Sequence, residues 1–202
     1  MCVNLQTSII AYLIGTISSL ILIQNNNKEK NILGYFILFY TCVQLFEALI
    51  YYNNKTIYSR LLLINLGLQG LVLVLLLNNY IKINKNYIYI FTIISLYITY
   101  RALESNFQKA TVSPTTSMIW NFFLDKNINL IINIMYILAF IVIYHYKNQF
   151  NYINKFFILL LLTYIILFNI NIDKINPFLC KNYKPSIWCL SSALISPIVL
   201  FL

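Results

Sequence analysis

An all-α, polytopic bundle of seven transmembrane helices is the fold class that this sequence predicts, with six as the smaller count its shortest segments allow. Three observations carry the prediction. Hydrophobic residues make up 60% of the chain and charged residues 9%, and a mean hydropathy of +0.75 lies far from the balance of a soluble domain. Seven apolar stretches, at 7–23, 33–52, 60–78, 87–101, 128–146, 156–171 and 185–202, approach the roughly 20 residues a helix needs to cross a hydrocarbon core of about 30 Å. Polar and apolar residues do not alternate in runs such as 156–168, unlike the strands of a membrane barrel. The chain reads as one domain, 1–202, with no Gly/Ser linker and no internal repeat.

The first stretch has no basic residue before it and no small-residue cleavage pattern after Ile23, so a retained helix is expected rather than a leader. Ala11, Gly15 and Ser19 form a small-residue ridge along it, a surface for helix packing. Lys28 and Lys30 follow directly, which places the first loop in the cytoplasm and the amino terminus outside. Short cytoplasmic loops then carry Lys28, Lys30, Lys82, Lys85, Lys147 and Lys155. The total count opposes this orientation, with Lys55, Arg60, Arg101, Lys109, Lys126, Lys174, Lys181 and Lys184 on the other side.

The second stretch holds the one acidic side chain inside any apolar segment, Glu47. Tyr40, Gln44, Glu47 and Tyr51 stand at offsets of four, three and four and share a helical face. That face should point into the bundle, because a charge in lipid costs at least about 2.5 kcal/mol on insertion scales. Glu47 lies roughly 7.5 Å from the outer end of its helix at 1.5 Å per residue. In the third stretch Asn65 and Gln69 make a second polar edge, with Gly67 and Gly70 permitting close backbone approach. The fourth repeats the spacing with Tyr97, Arg101 and Glu104. Arg101 or Arg60 is the expected partner of Glu47.

The one long connection, 102–127, reads as loop through Pro114. A short interfacial helix is expected over 118–124, where Trp120, Phe122 and Phe123 cluster; a re-entrant segment is the alternative. His145 closes the fifth stretch beside Tyr144 and Tyr146, the position of an interfacial anchor. The sixth is almost wholly apolar. The seventh opens with Pro185, suited to a first helical turn, followed by Ser186, Trp188 and Cys189. The polar edges of these helices would enclose an outward-facing pocket lined by Tyr40, Gln44, Glu47, Tyr51, Asn65, Gln69, Tyr97, Arg101, Trp188 and Cys189. The same amides equally serve as interhelical glue.

A formal charge of +9 spread over loops marks headgroup anchoring and topology rather than nucleic-acid binding. The lipid bilayer is the partner implied, together with a small ligand or ion, and no oligomeric state can be read. Cys42 and Cys189 fall within spans as apolar packers, whereas Cys2 and Cys180 fall outside and are candidates for a disulfide. Asn54, Lys55 and Thr56 form an N-glycosylation acceptor on the lumenal side. No catalytic motif, metal-ligand spacing or cofactor signature is present, and the seventh stretch contains no lysine for a Schiff base.

Gly34, Tyr35, Phe36, Phe39 and Tyr40, then Gln44, Leu45, Phe46 and Glu47, together with Ser186, Ile187, Trp188 and Cys189, resemble a family of seven-helix membrane proteins of unknown function. That family is found mainly in giant DNA viruses of the mimivirus kind and in some algae. The resemblance implies a viral or host membrane and no established activity. Two functions are therefore expected: a non-enzymatic receptor-like or structural component, or a proton or small-cation channel or carrier with Glu47 as the titrating site.

Overall fold

The computed structural model describes residues 5–112, 118–119, 121–169 and 197–198. Among them are six α-helices: α1 Leu5–Ile23, α2 Lys28–Asn53, α3 Thr56–Asn78, α4 Lys85–Leu103, α5 Lys126–His145 and α6 Tyr152–Asn169. They cover the first six apolar stretches and start earlier; at α2, α4 and α5 a polar residue ahead of the apolar run caps the helix. Asn27 accepts from the Glu29 and Lys30 amides at 2.9 and 3.3 Å, so α2 begins at Lys28 rather than at 33. Asn84 and Asp125 cap α4 and α5 in the same way. Helices α1, α2, α3 and α5 are long and apolar enough to cross a bilayer, and the protein is multi-pass. Apart from 197–198, the expected seventh span, 185–202, falls outside the described residues, as do Trp188, Cys189, Cys2 and Cys180.

Short connections make successive helices antiparallel, so the bundle has two ends. One, the lysine end, gathers the connections after α1, α3 and α5. The other, the hairpin end, gathers the two-residue turn between α2 and α3 and the long segment between α4 and α5. Each end has its own apolar core. Leu22, Leu33, Ile37, Leu77, Phe91, Val142, Phe150 and Phe156 fill the lysine end. Val43, Ile50, Leu62, Leu66, Ile98, Phe122 and Ile132 fill the hairpin end.

The ridge of α1 does what its spacing predicts. Ala11, Gly15 and Ser19 are buried against α2, where Gly15 faces Thr41 and Gly34 faces the α1 backbone at Ser19 and Ile23. Asn31 Nδ2 donates to the Ile23 carbonyl at 2.8 Å, closing an end of α1 that its own chain leaves open.

The long segment departs from expectation. Instead of a surface helix over 118–124, Met118–Ile119 pairs antiparallel with Thr111–Val112, and Asn121–Leu124 makes one 3-10 turn. The cause is burial. Ala110, Met118 and Phe122 enter the hairpin-end core, and Phe122 stacks on Phe107 with centroids 5.9 Å apart. The backbone is then satisfied by side chains: the Ala110 amide donates to Ser59 Oγ at 3.1 Å, and Asn121 Nδ2 donates to the Lys109 carbonyl at 2.9 Å.

Candidate functional site

Glu47 faces the bundle interior, fully buried at 0% exposure, with Tyr40 and Gln44 buried on the same stripe of α2. Tyr51, one turn nearer the hairpin end, is half-buried. Each of these four residues takes part in an interaction within the structure. Tyr40, Gln44 and Glu47 thus point into the bundle, with Tyr51 at its margin.

The polar edge of α3 meets α2 directly. Asn65 and Gln69 are buried, and Asn65 Nδ2 donates to the Phe39 carbonyl of α2 at 3.2 Å. Gln69 Nε2 donates to Asn65 Oδ1 at 3.3 Å. Tyr136 of α5 then donates its hydroxyl proton to Gln69 Oε1 at 2.6 Å. Three helices are thus joined by one directional chain, Tyr136 to Gln69 to Asn65 to the Phe39 carbonyl. Ser95 of α4 adds a fourth helix by donating to the Gly67 carbonyl at 2.8 Å. The approach needed for these bonds exists because Gly67 and Gly70 present no side chain: a Cβ on Gly67 would lie 2.6 Å from Ile98 Cγ2, and one on Gly70 would lie 2.5 Å from the Phe91 ring.

Tyr136 was not legible as a member of this cluster. It sits one position beyond the buried stripe of α5, which includes Ile132, Met135 and Ala139, and so looks like a lipid-facing tyrosine. The available signal was that a hydroxyl in mid-span needs a partner.

The expected pairing of Glu47 with Arg101 or Arg60 is not found. Arg101 lies with its Nη1 3.3 Å from Glu104 Oε1 and donates from Nη2 to Asp125 Oδ2. Arg60 Nη2 donates to the Glu104 carbonyl at 3.1 Å and lies over the Phe107 ring. Both guanidiniums are taken at the hairpin end by the start and finish of the long segment. Arg101 is thus held at that end, and half-buried Tyr97 packs against the hairpin-end core.

Asp125 has two roles in this clasp. Its Oδ1 accepts the Asn127 and Ile128 amides at 2.8 and 3.4 Å, capping α5, while Oδ2 holds Arg101. Replacement by alanine is expected to cost about 1–3 kcal/mol, combining a lost cap with a partly exposed ion pair worth about 1 kcal/mol or less. Asparagine keeps the cap and loses only the smaller contribution. Unfolding free energies of Asp125→Ala and Asp125→Asn check this, and equal losses would rule out the capping role.

The lysine end is electrostatically distinct. Among the described residues it gathers Lys28, Lys30, Lys82, Lys85, Lys147 and Lys155, with Lys30 over the Tyr152 ring and Lys147 over the Tyr144 ring, each at 4.3 Å. Its acid, Glu29, is buried and accepts the Ile153 amide at 2.8 Å, so α2 caps the first turn of α6. His145 is exposed there, in ring contact with Tyr87 and Tyr146. At the hairpin end Lys55, Arg60, Arg101, Lys109 and Lys126 are offset by Glu104 and Asp125.

Asn54 is exposed at the C-terminal cap of α2, and its carbonyl accepts from Lys109 Nζ at 3.4 Å. Cys42 is half-buried within α2 and donates to the Leu38 carbonyl. Among the described residues no three His, Cys, Asp or Glu side chains converge as metal ligands would. No protein-family model, curated protein or solved structure matches the chain.

Proposed function

We propose that this multi-pass protein is a non-enzymatic, non-conducting membrane component, structural or receptor-like, whose buried amides hold the helices in register. The single observation that carries the reading is the hydrogen-bond chain from Tyr136 to the Phe39 carbonyl. Its middle links are carboxamides, which donate hydrogen bonds without releasing protons, and its last acceptor is a backbone oxygen that cannot pass one on. Such a chain staples helices and does not relay charge.

The surroundings support the same reading. Between Glu47 and the lysine end stands a largely apolar core of Leu, Ile, Val, Met and Phe side chains, with Tyr40 and Ala139, which opposes passage of an ion toward that end. Orientation follows the positive-inside tendency: Lys28 and Lys30 directly after α1, and the short connections that carry the other lysines of that end among the described residues, favour a cytoplasmic lysine end and an amino terminus outside. Asn54, a candidate for glycosylation, then faces the lumen. A seventh helix over 185–202, a Cys2–Cys180 bridge and a virion or host membrane complete the proposal, the last on the resemblance carried by Gly34 to Glu47 and Ser186 to Cys189.

Reconstitution tests it. The full chain in liposomes is expected to pass no protons or small cations above protein-free vesicles, whether wild type or Glu47→Gln. Flux in the wild type that Glu47→Gln abolishes would overturn the proposal in favour of a channel or carrier titrating at Glu47.

A further inference from the structure

Two asparagines stand on the exposed face of α5, Asn129 in its first turn and Asn133 a turn deeper. Asn129 and Asn133 are both exposed, and Asn133 Nδ2 donates to Asn129 Oδ1 at 3.0 Å. Asn133 lies seven residues into the helix, about 10 Å below its start at 1.5 Å per residue. On the other three membrane-crossing helices, exposed residues more than a turn from either end are Ile, Leu or Tyr. A carboxamide offers two donor hydrogens and two acceptor lone pairs. The bond to Asn129, which lies within a turn of the water-facing start of α5, therefore leaves one donor hydrogen and the acceptor oxygen of Asn133 unpaired deeper in the span, a costly arrangement in hydrocarbon.

We propose that this edge is a self-association surface, on which a second copy of the chain in the same membrane packs α5 against α5 about a two-fold axis. The occupant follows from the chemistry. A carboxamide is donor and acceptor at once, so two Asn133 side chains related by a two-fold axis exchange hydrogen bonds with no other group required. The flanking surface suits the same partner. Leu130, Asn133 and Ile137 are exposed at offsets of three and four, the repeat of a left-handed helix pair, with Ile134 and Ile141 exposed beside them. No charged residue interrupts α5 between Lys126, at its water-facing end, and His145. An intramembrane asparagine on such a seam sets register and copy number.

The test uses the full chain carrying one fluorophore per copy, reconstituted at low density in lipid vesicles, with photobleaching steps counted. Wild type is expected to bleach in two steps. Asn133→Leu should weaken association on the order of tenfold and shift the population to single steps, while Asn133→Gln retains pairing. In excess detergent, where both proteins are single copies, the unfolding midpoint of Asn133→Leu should not fall below that of wild type, because position 133 is exposed; Ile137→Trp, a steric block on the same seam, supplies a second route to single steps. Single steps in the wild type, or two steps insensitive to both variants, would overturn the proposal. So would a cross-link from Asn133→Cys to residues 170–202 of the same copy, since the chain itself would then cover this face.

Discussion

Substituting alanine for Gly34 should destabilise the protein by about 2–3 kcal/mol, although the same change in an unconstrained helix is favourable by about 1 kcal/mol. The reversal comes from what the new Cβ meets. It would sit 2.8 Å from both the Ser19 carbonyl oxygen and the Ile23 nitrogen, backbone atoms of α1 that no rotamer change can move. Helix α1 must therefore back away from α2, loosening Gly15 from Thr41 and the Asn31 bond to the Ile23 carbonyl. Gly70→Ala provides the contrast. Its Cβ would meet the Phe91 ring and Met135 Cγ, side-chain atoms that can shift, with methionine especially adaptable. A loss of about 1 kcal/mol is expected there. Unfolding free energies in a lipid-detergent mixture check the pair, and a neutral Gly34→Ala would remove backbone approach as the basis of the α1–α2 contact.

Glu47→Ala should be destabilising by about 2–4 kcal/mol, from a partner group left unsatisfied and a cavity at a fully buried position. Its sign separates two arrangements. If the carboxyl faced acyl chains, alanine would remove an unfavourable group and raise stability by about 2.5 kcal/mol or more; an interior carboxyl gives a loss. Glu47→Gln conserves volume and one acceptor, so about 1 kcal/mol is expected. The order wild type, Gln, Ala in unfolding free energy is the result to look for. A stabilised alanine variant would contradict the packing role of the stripe.

How far the sequence could be read depended on the range of the interaction involved. Apolar runs and their caps are local, so α1 to α6 were legible to within a turn or so, and the stripe from Tyr40 to Tyr51 followed from helical spacing alone. The small-residue ridge of α1 was legible for the same reason, since close packing needs small side chains at one repeat. The partner of Arg101 was not. Glu47, Glu104 and Asp125 were all available acids, and the choice rests on where the long segment returns. Its return brings Asp125 to the end of α4 because Phe122 and Met118 are drawn into the hairpin-end core. Tyr136 was missed on similar grounds: one residue's rotation about α5 decides whether a hydroxyl meets lipid or Gln69.

Solubility in a bilayer, the placement of six helices along the chain and the burial of one carboxylate are consequences of composition and periodicity, because water and hydrocarbon sort side chains one helix at a time. Which acid meets Arg101, where the amide chain ends and which face of α5 keeps its asparagines outward required the assembled helices. Hydrogen bonds and ion pairs act over only a few ångströms, and that proximity is created by packing between segments distant along the chain.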